Sequence, residues 1–120
     1  MKEQLQRRHD DAIISNAEFP DTPEDWTPHY ARALAEKENL RLTEAHWEVL
    51  RALQNYYAQH KDAVPYLSEL KHALENKFAS QGGGKYLQTL FPGGPVAQGC
   101  RLAGLNAPAG AVDKGFGSVV

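Results

Sequence analysis

Residues 82–112 read GGGKYLQTLFPGGPVAQGCRLAGLNAPAGAV, and the rest of the chain is organised around them. Two short amphipathic pieces, Lys85–Phe91 and Pro95–Ala103, are joined by a Pro-Gly-Gly-Pro turn. The second piece carries Cys100, the single cysteine of the sequence. After it the composition turns to glycine, proline and small residues, which predicts an extended arm rather than a packed element. A unique thiol at the base of a pliable arm is the chemical feature that most needs an explanation.

Length and composition exclude several classes of protein. A chain of 120 residues allows one small domain with a sizeable core, and we predict a single domain over residues 1–120. A net charge of −2 argues against wholesale binding to phosphate backbones. The sequence has no apolar run of membrane-spanning or signal-peptide type, so we expect no membrane association. A single cysteine cannot form an internal disulfide, which fits the reducing cytoplasm.

Upstream of the arm, apolar residues recur at helical spacing. Thr43 is the expected N-cap of the longest helix, and Leu42 and Trp47 have the spacing of a hydrophobic staple across it. Trp26 is expected to seat an earlier helix on the core. The predicted helices are Pro28–Glu38, Thr43–His60 and Pro65–Phe78, followed by the two short pieces. Ser80 to Gly84 is expected to stop the third helix.

These elements predict a mostly α-helical, small orthogonal bundle of about five helices. We assign residues 1–25 to an irregular N-terminal segment, 26–103 to the helical body and 104–120 to a flexible C-terminal arm and extension. A minor β-hairpin near Ala12–Ile14 remains open, because no clear hairpin turn accompanies it.

Two segments carry a family resemblance. Residues 87–110 fit the pattern LxxLFPxGPxxQxCxxAGLxxPxG, and residues 42–50 fit LTExHWxxL, followed by Tyr56-Tyr57. The patterns resemble the DsrC/TusE family: DsrC is the gamma subunit of dissimilatory sulfite reductase, and TusE is a sulfur-relay protein of tRNA thiolation. The resemblance covers about residues 26–112, and the C-terminal run is long enough to be specific.

The resemblance implies a DsrC-like helical fold and a role in cytoplasmic sulfur trafficking through docking of the arm. The implied partners are sulfur-relay proteins of the TusBCD/DsrEFH kind or a sulfite-reductase-like complex. It implies no cofactor and no stand-alone catalysis, at most that of a sulfur carrier or sulfurtransferase component. The arm residues that match are Gly104, Pro108 and Gly110.

The chain departs from the family pattern at the arm tip. Family carriers place a reactive cysteine directly after the glycine that matches Gly110, and Ala111 stands there. DsrC has a second cysteine at the arm base, and Cys100 matches that one. The chain also continues for eight residues past Val112. Three explanations stay open: a natural branch with a regulatory or accessory role, single-thiol chemistry at Cys100, or an altered form of a carrier, which the extra tail disfavours.

Cys100 itself has two interpretations. A lone cysteine is often a small buried hydrophobe, whereas the resemblance makes it a redox-active thiol that bears a persulfide or mixed disulfide. A helix C-terminus disfavours the thiolate, while Arg101 or Lys85 nearby would favour it. We expect the thiol to be reachable by a bulky maleimide without denaturant.

Other patterns are weaker. The glycines before Lys85 resemble an anion-binding loop but lack a Walker A pattern, so a helix-stop loop is the preferred interpretation. The five histidines show no metal-ligand spacing, and we predict no metal site. The second and third helices could form a DNA-binding helix-turn-helix, which gives the alternative function: a regulatory module that binds DNA or competes for the partners of sulfur carriers. The second helix of that pair is only weakly basic, which disfavours DNA.

Overall fold

The computed structural model describes residues 19–60 and 65–111. In these residues the chain forms five α-helices and one short 3-10 helix, and no strand. The helices are α1 (Pro28–Lys37), α2 (Glu44–Gln59), α3 (Leu67–Lys77), α4 (Gly83–Leu90) and α5 (Ala97–Ala103), with the 3-10 turn at Ala79–Gln81. The predicted helical bundle is confirmed. The hairpin considered near Ala12–Ile14 lies outside the described residues.

The caps of the first two helices follow the sequence prediction. Thr27 accepts a hydrogen bond from the Tyr30 amide, and Pro28 occupies the first helical position of α1. Thr43 caps α2, and the Thr43 amide donates to Nδ1 of His46 at 3.0 Å. This is a capping box in which histidine replaces the usual glutamate or glutamine.

The core lies where α2 crosses α5 and α3. Trp47, Leu50 and Leu53 of α2 are buried, and Leu70 and Leu74 of α3 are buried as well. Helix α5 packs on α2 and on α1, and α3 packs on α4. Apolar residues that recur at helical spacing in the sequence therefore do form the core.

An aromatic cluster closes one end of this core. The ring of Phe19 lies edge-on to Trp26 at 5.1 Å and to Trp47 at 5.7 Å between centroids. Trp26 is 4% exposed, in agreement with its predicted role in seating the first helix on the core.

The glycine run after α3 differs from the prediction. The segment from Ser80 to Gly84 was expected only to end α3. Instead, α4 already begins at Gly83, two residues before the predicted start at Lys85. Gly82 has φ +133°, a conformation that a side chain rarely adopts. A Cβ on Gly84 would lie 3.0 Å from a carboxylate oxygen of Glu75. The glycines thus let the start of α4 approach α3 closely.

Candidate functional site at Cys100

Cys100 lies in the middle of α5, on the face that meets α2. Its side chain has no exposure to solvent. The preceding residue shows how tightly the two helices pack, because a Cβ on Gly99 would stand 2.8 Å from Cδ1 of Leu53. In this conformation the thiol is enclosed, contrary to the expectation that it is reachable by a bulky reagent.

The nearest polar neighbour of the sulfur is a phenol. The Tyr57 hydroxyl lies 3.8 Å from Sγ of Cys100. Burial raises the pKa of the thiol from 9.0 to about 11, and the hydrogen bond with Tyr57 offsets part of that rise. Compared with a thiol of pKa 9.0, the thiolate fraction near neutral pH is about 100-fold lower. Cys100 is therefore a protected, neutral thiol while α2 and the arm stay in place.

Of the two cations expected to support a thiolate, Arg101 binds a carboxylate and Lys85 is exposed. The Arg101 guanidinium binds the carboxylate of Glu38 through two hydrogen bonds of 2.8 Å. Lys85 is exposed on α4, and its carbonyl accepts a hydrogen bond from the Thr89 hydroxyl. The pKa of the thiol is set by burial and by Tyr57. Support of a Cys100 thiolate by Arg101 or Lys85 stays a prediction.

Sequence reasoning missed the network that Arg101 joins. The Glu38 side chain is only 3% exposed and also accepts a 2.9 Å hydrogen bond from Nε2 of Gln98. Oε1 of Gln98 accepts from the Gly93 amide at 2.9 Å. The hydrogen bond from Arg101 holds the pKa of the Glu38 carboxyl below its ordinary value, against the opposing effect of burial. The network ties the end of α1 to α5 and to the Pro-Gly-Gly-Pro turn.

One signal for this network was present in the sequence. Gln98 belongs to the family pattern, although it lies on a short helix beside glycine and cysteine, where a polar residue has no obvious local use. Its partner Glu38 is 60 residues away in sequence. Periodicity cannot reveal a contact over that separation.

The last carbonyls of α5 are satisfied by side chains from the body. Nε1 of Trp26 donates to the Leu102 carbonyl at 2.7 Å, and Nε2 of Gln54 donates to the Ala103 carbonyl at 2.9 Å. Gly104 follows in the left-handed conformation with φ +79°, and the Leu105 amide returns to the Cys100 carbonyl at 2.8 Å. This is a Schellman-type ending. The helix that bears the thiol is therefore capped on the body before the arm begins.

His46 fixes the turn that leads into α5. Because Nδ1 accepts from the Thr43 amide, the proton lies on Nε2, which donates to the Leu90 carbonyl at 2.8 Å. The imidazole also meets the ring of Phe91 edge-on at 5.1 Å. Burial lowers its pKa, against the opposing effect of the Leu90 bond.

The described part of the arm lies against the body surface. Asn106, Ala107, Ala109 and Gly110 are exposed, whereas Pro108 is buried. The Asn106 carbonyl accepts a hydrogen bond from the Tyr57 hydroxyl.

The end of this arm segment meets a groove between α3, α4 and the turn before α5. Gly110 has φ +95°, and a Cβ on it would lie 3.4 Å from Leu67 of α3. Ala111, at the position of the missing tip cysteine, is half-buried. The groove has a volume of 360 Å³, and its lining includes Leu67, Lys71, Glu75, Gln88, Pro95 and Ala111.

The structure gives little support to the other kinds of site considered from the sequence. At the suggested anion loop, the Glu75 carboxylate lies beside Gly84, so an internal acid stands where an anion would bind. Within residues 19–60 and 65–111, no three His, Cys, Asp or Glu side chains are grouped so that they could hold a metal ion. In the same residues, no helix combines the length and the apolar character needed to cross a membrane.

The helix pair proposed as a DNA-binding unit is formed by α2 and α3, but the residues between them lie partly outside the described ranges. Lys71, a cation on the second helix of this pair, lines the groove that the arm reaches.

Comparison with known proteins decides the family. The family described as "DsrC like protein" matches residues 8–112. The chain belongs to the DsrC family. It is 39% identical over 84 residues to the Sulfurtransferase TusE homolog of Haemophilus influenzae, which covers 70% of this chain and 77% of that protein. It is 37% identical over 84 residues to the Sulfurtransferase TusE of Escherichia coli K12, covering 69% and 76% respectively.

A solved structure agrees with the sequence comparison. The NMR structure of Allochromatium vinosum DsrC superposes with a TM-score of 0.61 at 37% identity, covering 82% of this chain and 88% of that one. The predicted family is confirmed, and with it the assignment to sulfur trafficking of the DsrC/TusE type. The comparisons give no support to the alternative of a regulatory DNA-binding module.

Proposed function

We propose that this DsrC-family chain acts in the cytoplasm as a docking protein of sulfur trafficking, with Cys100 as its sulfur-bearing thiol and residues 104–120 as the docking arm. The observation that carries the proposal is the position of the thiol. Cys100 is four residues before the glycine that ends α5, so the sulfur lies where the rigid body passes into the arm. The described arm residues run along the surface, where a partner can reach them.

The chemistry open to a single thiol is transfer, not internal disulfide formation. The Cys100 thiolate would attack the outer sulfur of a donor persulfide, R–S–SH. The donor S–S bond breaks, R–S⁻ leaves, and Cys100 becomes the persulfide. Release needs the thiolate of an acceptor, which takes the outer sulfur and regenerates the Cys100 thiolate. With Ala111 at the arm tip, the chain has no second cysteine to displace the sulfur itself.

The proposed partners are taken from the similarity to the relatives. Proteins named TusE are sulfurtransferases, and by similarity we propose that this chain docks with sulfur-relay proteins of the TusBCD/DsrEFH kind or with a sulfite-reductase-like complex. Because the thiol is enclosed in the free chain, docking has to uncover it before transfer. The protein would then act as a carrier component rather than as a stand-alone enzyme.

Persulfide loading tests this proposal. The full chain is incubated with inorganic polysulfide, and intact mass spectrometry then counts added sulfur atoms. We expect one sulfur on the native sequence once a sulfur-relay partner that docks the arm is present, and none on Cys100→Ser. An Ala111→Cys variant in the Cys100→Ser background provides a positive control, because it puts a thiol on the half-buried arm tip. Loading of that control but not of the native chain, even with its partners present, would refute Cys100 as the sulfur-bearing group.

A further inference from the structure

One hydroxyl lies between the thiol and the arm. Tyr57, half-buried near the end of α2, has its phenol oxygen 3.8 Å from Sγ of Cys100 and 2.5 Å from the Asn106 carbonyl oxygen. A carbonyl can only accept, so the Tyr57 hydroxyl donates its single proton to Asn106. Towards the sulfur the phenol oxygen is therefore an acceptor for the S–H group. The same oxygen thus contacts the enclosed thiol and a carbonyl of the arm.

The space around the sulfur leaves no room for an added atom without a rearrangement. Cys100 has no exposure to solvent, and a persulfide places a second sulfur about 2 Å from the first. Along the direction of Tyr57, that atom would lie about 2 Å from the phenol oxygen, far inside the contact distance. Leu53 also packs closely on α5, since a Cβ on Gly99 would stand 2.8 Å from its Cδ1. Of these two neighbours Tyr57 is the partly exposed one, so it has an open direction in which to move.

We propose that Tyr57 is a latch that couples the chemical state of Cys100 to the position of the arm. With the free thiol, the phenol covers the sulfur and holds Asn106. An atom added to the sulfur displaces the phenol, breaks its bond to Asn106 and frees residues 105–111 for a partner. The covering of the thiol stands on the geometry alone. The use of the latch in sulfur transfer rests on the proposed function.

The protonation of the phenol fits this role. Burial, and secondly the neighbouring Cys100, raise the pKa of Tyr57 above its ordinary value of 10.0. The hydroxyl therefore remains a donor to Asn106 throughout the neutral range.

The test replaces the hydroxyl and keeps the ring. Tyr57→Phe is compared with Tyr56→Phe, a neighbouring tyrosine whose ring stacks on His60 at 4.2 Å instead. Two rates are measured in the full chain: alkylation of Cys100 by N-ethylmaleimide, and amide hydrogen exchange of residues 105–111. We expect Tyr57→Phe to raise both about tenfold, the effect of losing one such hydrogen bond, and Tyr56→Phe to change neither. Exchange of the α2 core amides should stay unchanged in both variants.

A second measurement tests the coupling and needs no persulfide. Methyl methanethiosulfonate converts the Cys100 thiol to Cys–S–S–CH₃ and releases methanesulfinate. In the native sequence this added group should raise arm exchange about as much as Tyr57→Phe does. In Tyr57→Phe it should add little, because the latch is already absent. A purely structural role for Tyr57 predicts instead that the two effects add up.

The outcomes separate this inference from the proposed function. Arm exchange that is unchanged by methylthiolation, or alkylation of Tyr57→Phe at the native rate, overturns the latch. Failure of both chains to react with either reagent also overturns it, because the thiol is then sealed by the core and not by Tyr57. If the latch measurements succeed while polysulfide loading fails, the latch stands and the sulfur-carrier proposal falls.

Discussion

Helix α5 and the arm that follows it are adjacent in sequence but are fastened to the body very differently. The helix is held by the Glu38 carboxylate and by side-chain bonds from Trp26 and Gln54. The arm is held by the bond from Tyr57 and by the packing of Pro108 and Ala111. The attachment of the chain to the body therefore becomes weaker after Gly104. The docking proposed above needs this division, because the thiol would have to keep its place on the body while the arm moves.

The largest expected effect comes from breaking the anchor of α5. Arg101→Met leaves the Glu38 carboxylate, 3% exposed, without its cation. Loss of one partner of a buried pair costs about 3–5 kcal/mol, and the 29% exposure of the Arg101 side chain argues for the lower end, about 3 kcal/mol. Urea denaturation measures the free energy of unfolding.

An exposed ion pair provides the control for this prediction. The Glu44 side chain, 73% exposed, pairs with Arg51 at 3.3 Å, so Glu44→Gln should cost less than about 1 kcal/mol. The double variant Glu38→Gln with Arg101→Met should recover part of the loss, since no charge is then left buried. Equal costs for Arg101→Met and Glu44→Gln would show that the network does not anchor the helix.

A second prediction compares the two ends of the arm directly. Both Gly104 and Gly110 have positive φ, so alanine is strained at each. At Gly104 the added Cβ would also stand 2.7 Å from Cδ1 of the buried Trp26, whereas at Gly110 it makes an ordinary 3.4 Å contact with Leu67. We expect Gly104→Ala to lower the free energy of unfolding by about 2 kcal/mol or more, and Gly110→Ala by about 1 kcal/mol.

Amide hydrogen exchange shows which part of the chain each of the two substitutions destabilises. Gly104→Ala should loosen the end of α5 together with the arm, whereas Gly110→Ala should affect the arm alone. If both substitutions destabilise α5 to the same extent, the boundary between a fixed helix and a detachable arm does not lie at Gly104.

The same division explains how much the sequence could predict. Helical periodicity and caps placed α1 to α3 within two residues of their observed bounds, because local spacing determines both. The family pattern placed the thiol at the base of the arm. Periodicity could not show that Cys100 is enclosed, since a neighbour of its sulfur such as Tyr57 lies 43 residues away in sequence. The partner of Arg101 was missed for the same reason: Glu38 lies 63 residues away.

The start of α4 was misplaced for a different reason. A run of three glycines normally signals a loop, yet Gly83 and Gly84 are helical because they permit a close contact with Glu75. Local propensity favoured a loop, and tertiary contact overrode it. Contacts of this kind become visible only once the helices are packed.

The smallest expected effect concerns the turn that leads into α5, and it depends on pH. His46 is neutral in the fold, because Nδ1 must accept from the Thr43 amide while Nε2 donates to Leu90. Its pKa is lowered by burial, so the unfolded chain takes up a proton first as the pH falls below about 6.5. The contribution of His46 to the free energy of unfolding should therefore be fully present above about pH 6.5 and decline below it. The decline should stop once the imidazole of the folded chain is protonated as well.

His46→Gln is the matched variant, because glutamine at this position preserves a capping box but does not titrate. The difference in melting temperature between pH 7.5 and pH 5.5 should be larger for the native sequence than for His46→Gln. Equal differences would mean that the histidine keeps the turn in place without its protonation state affecting stability, and that the anchoring of α5 is insensitive to mild acid.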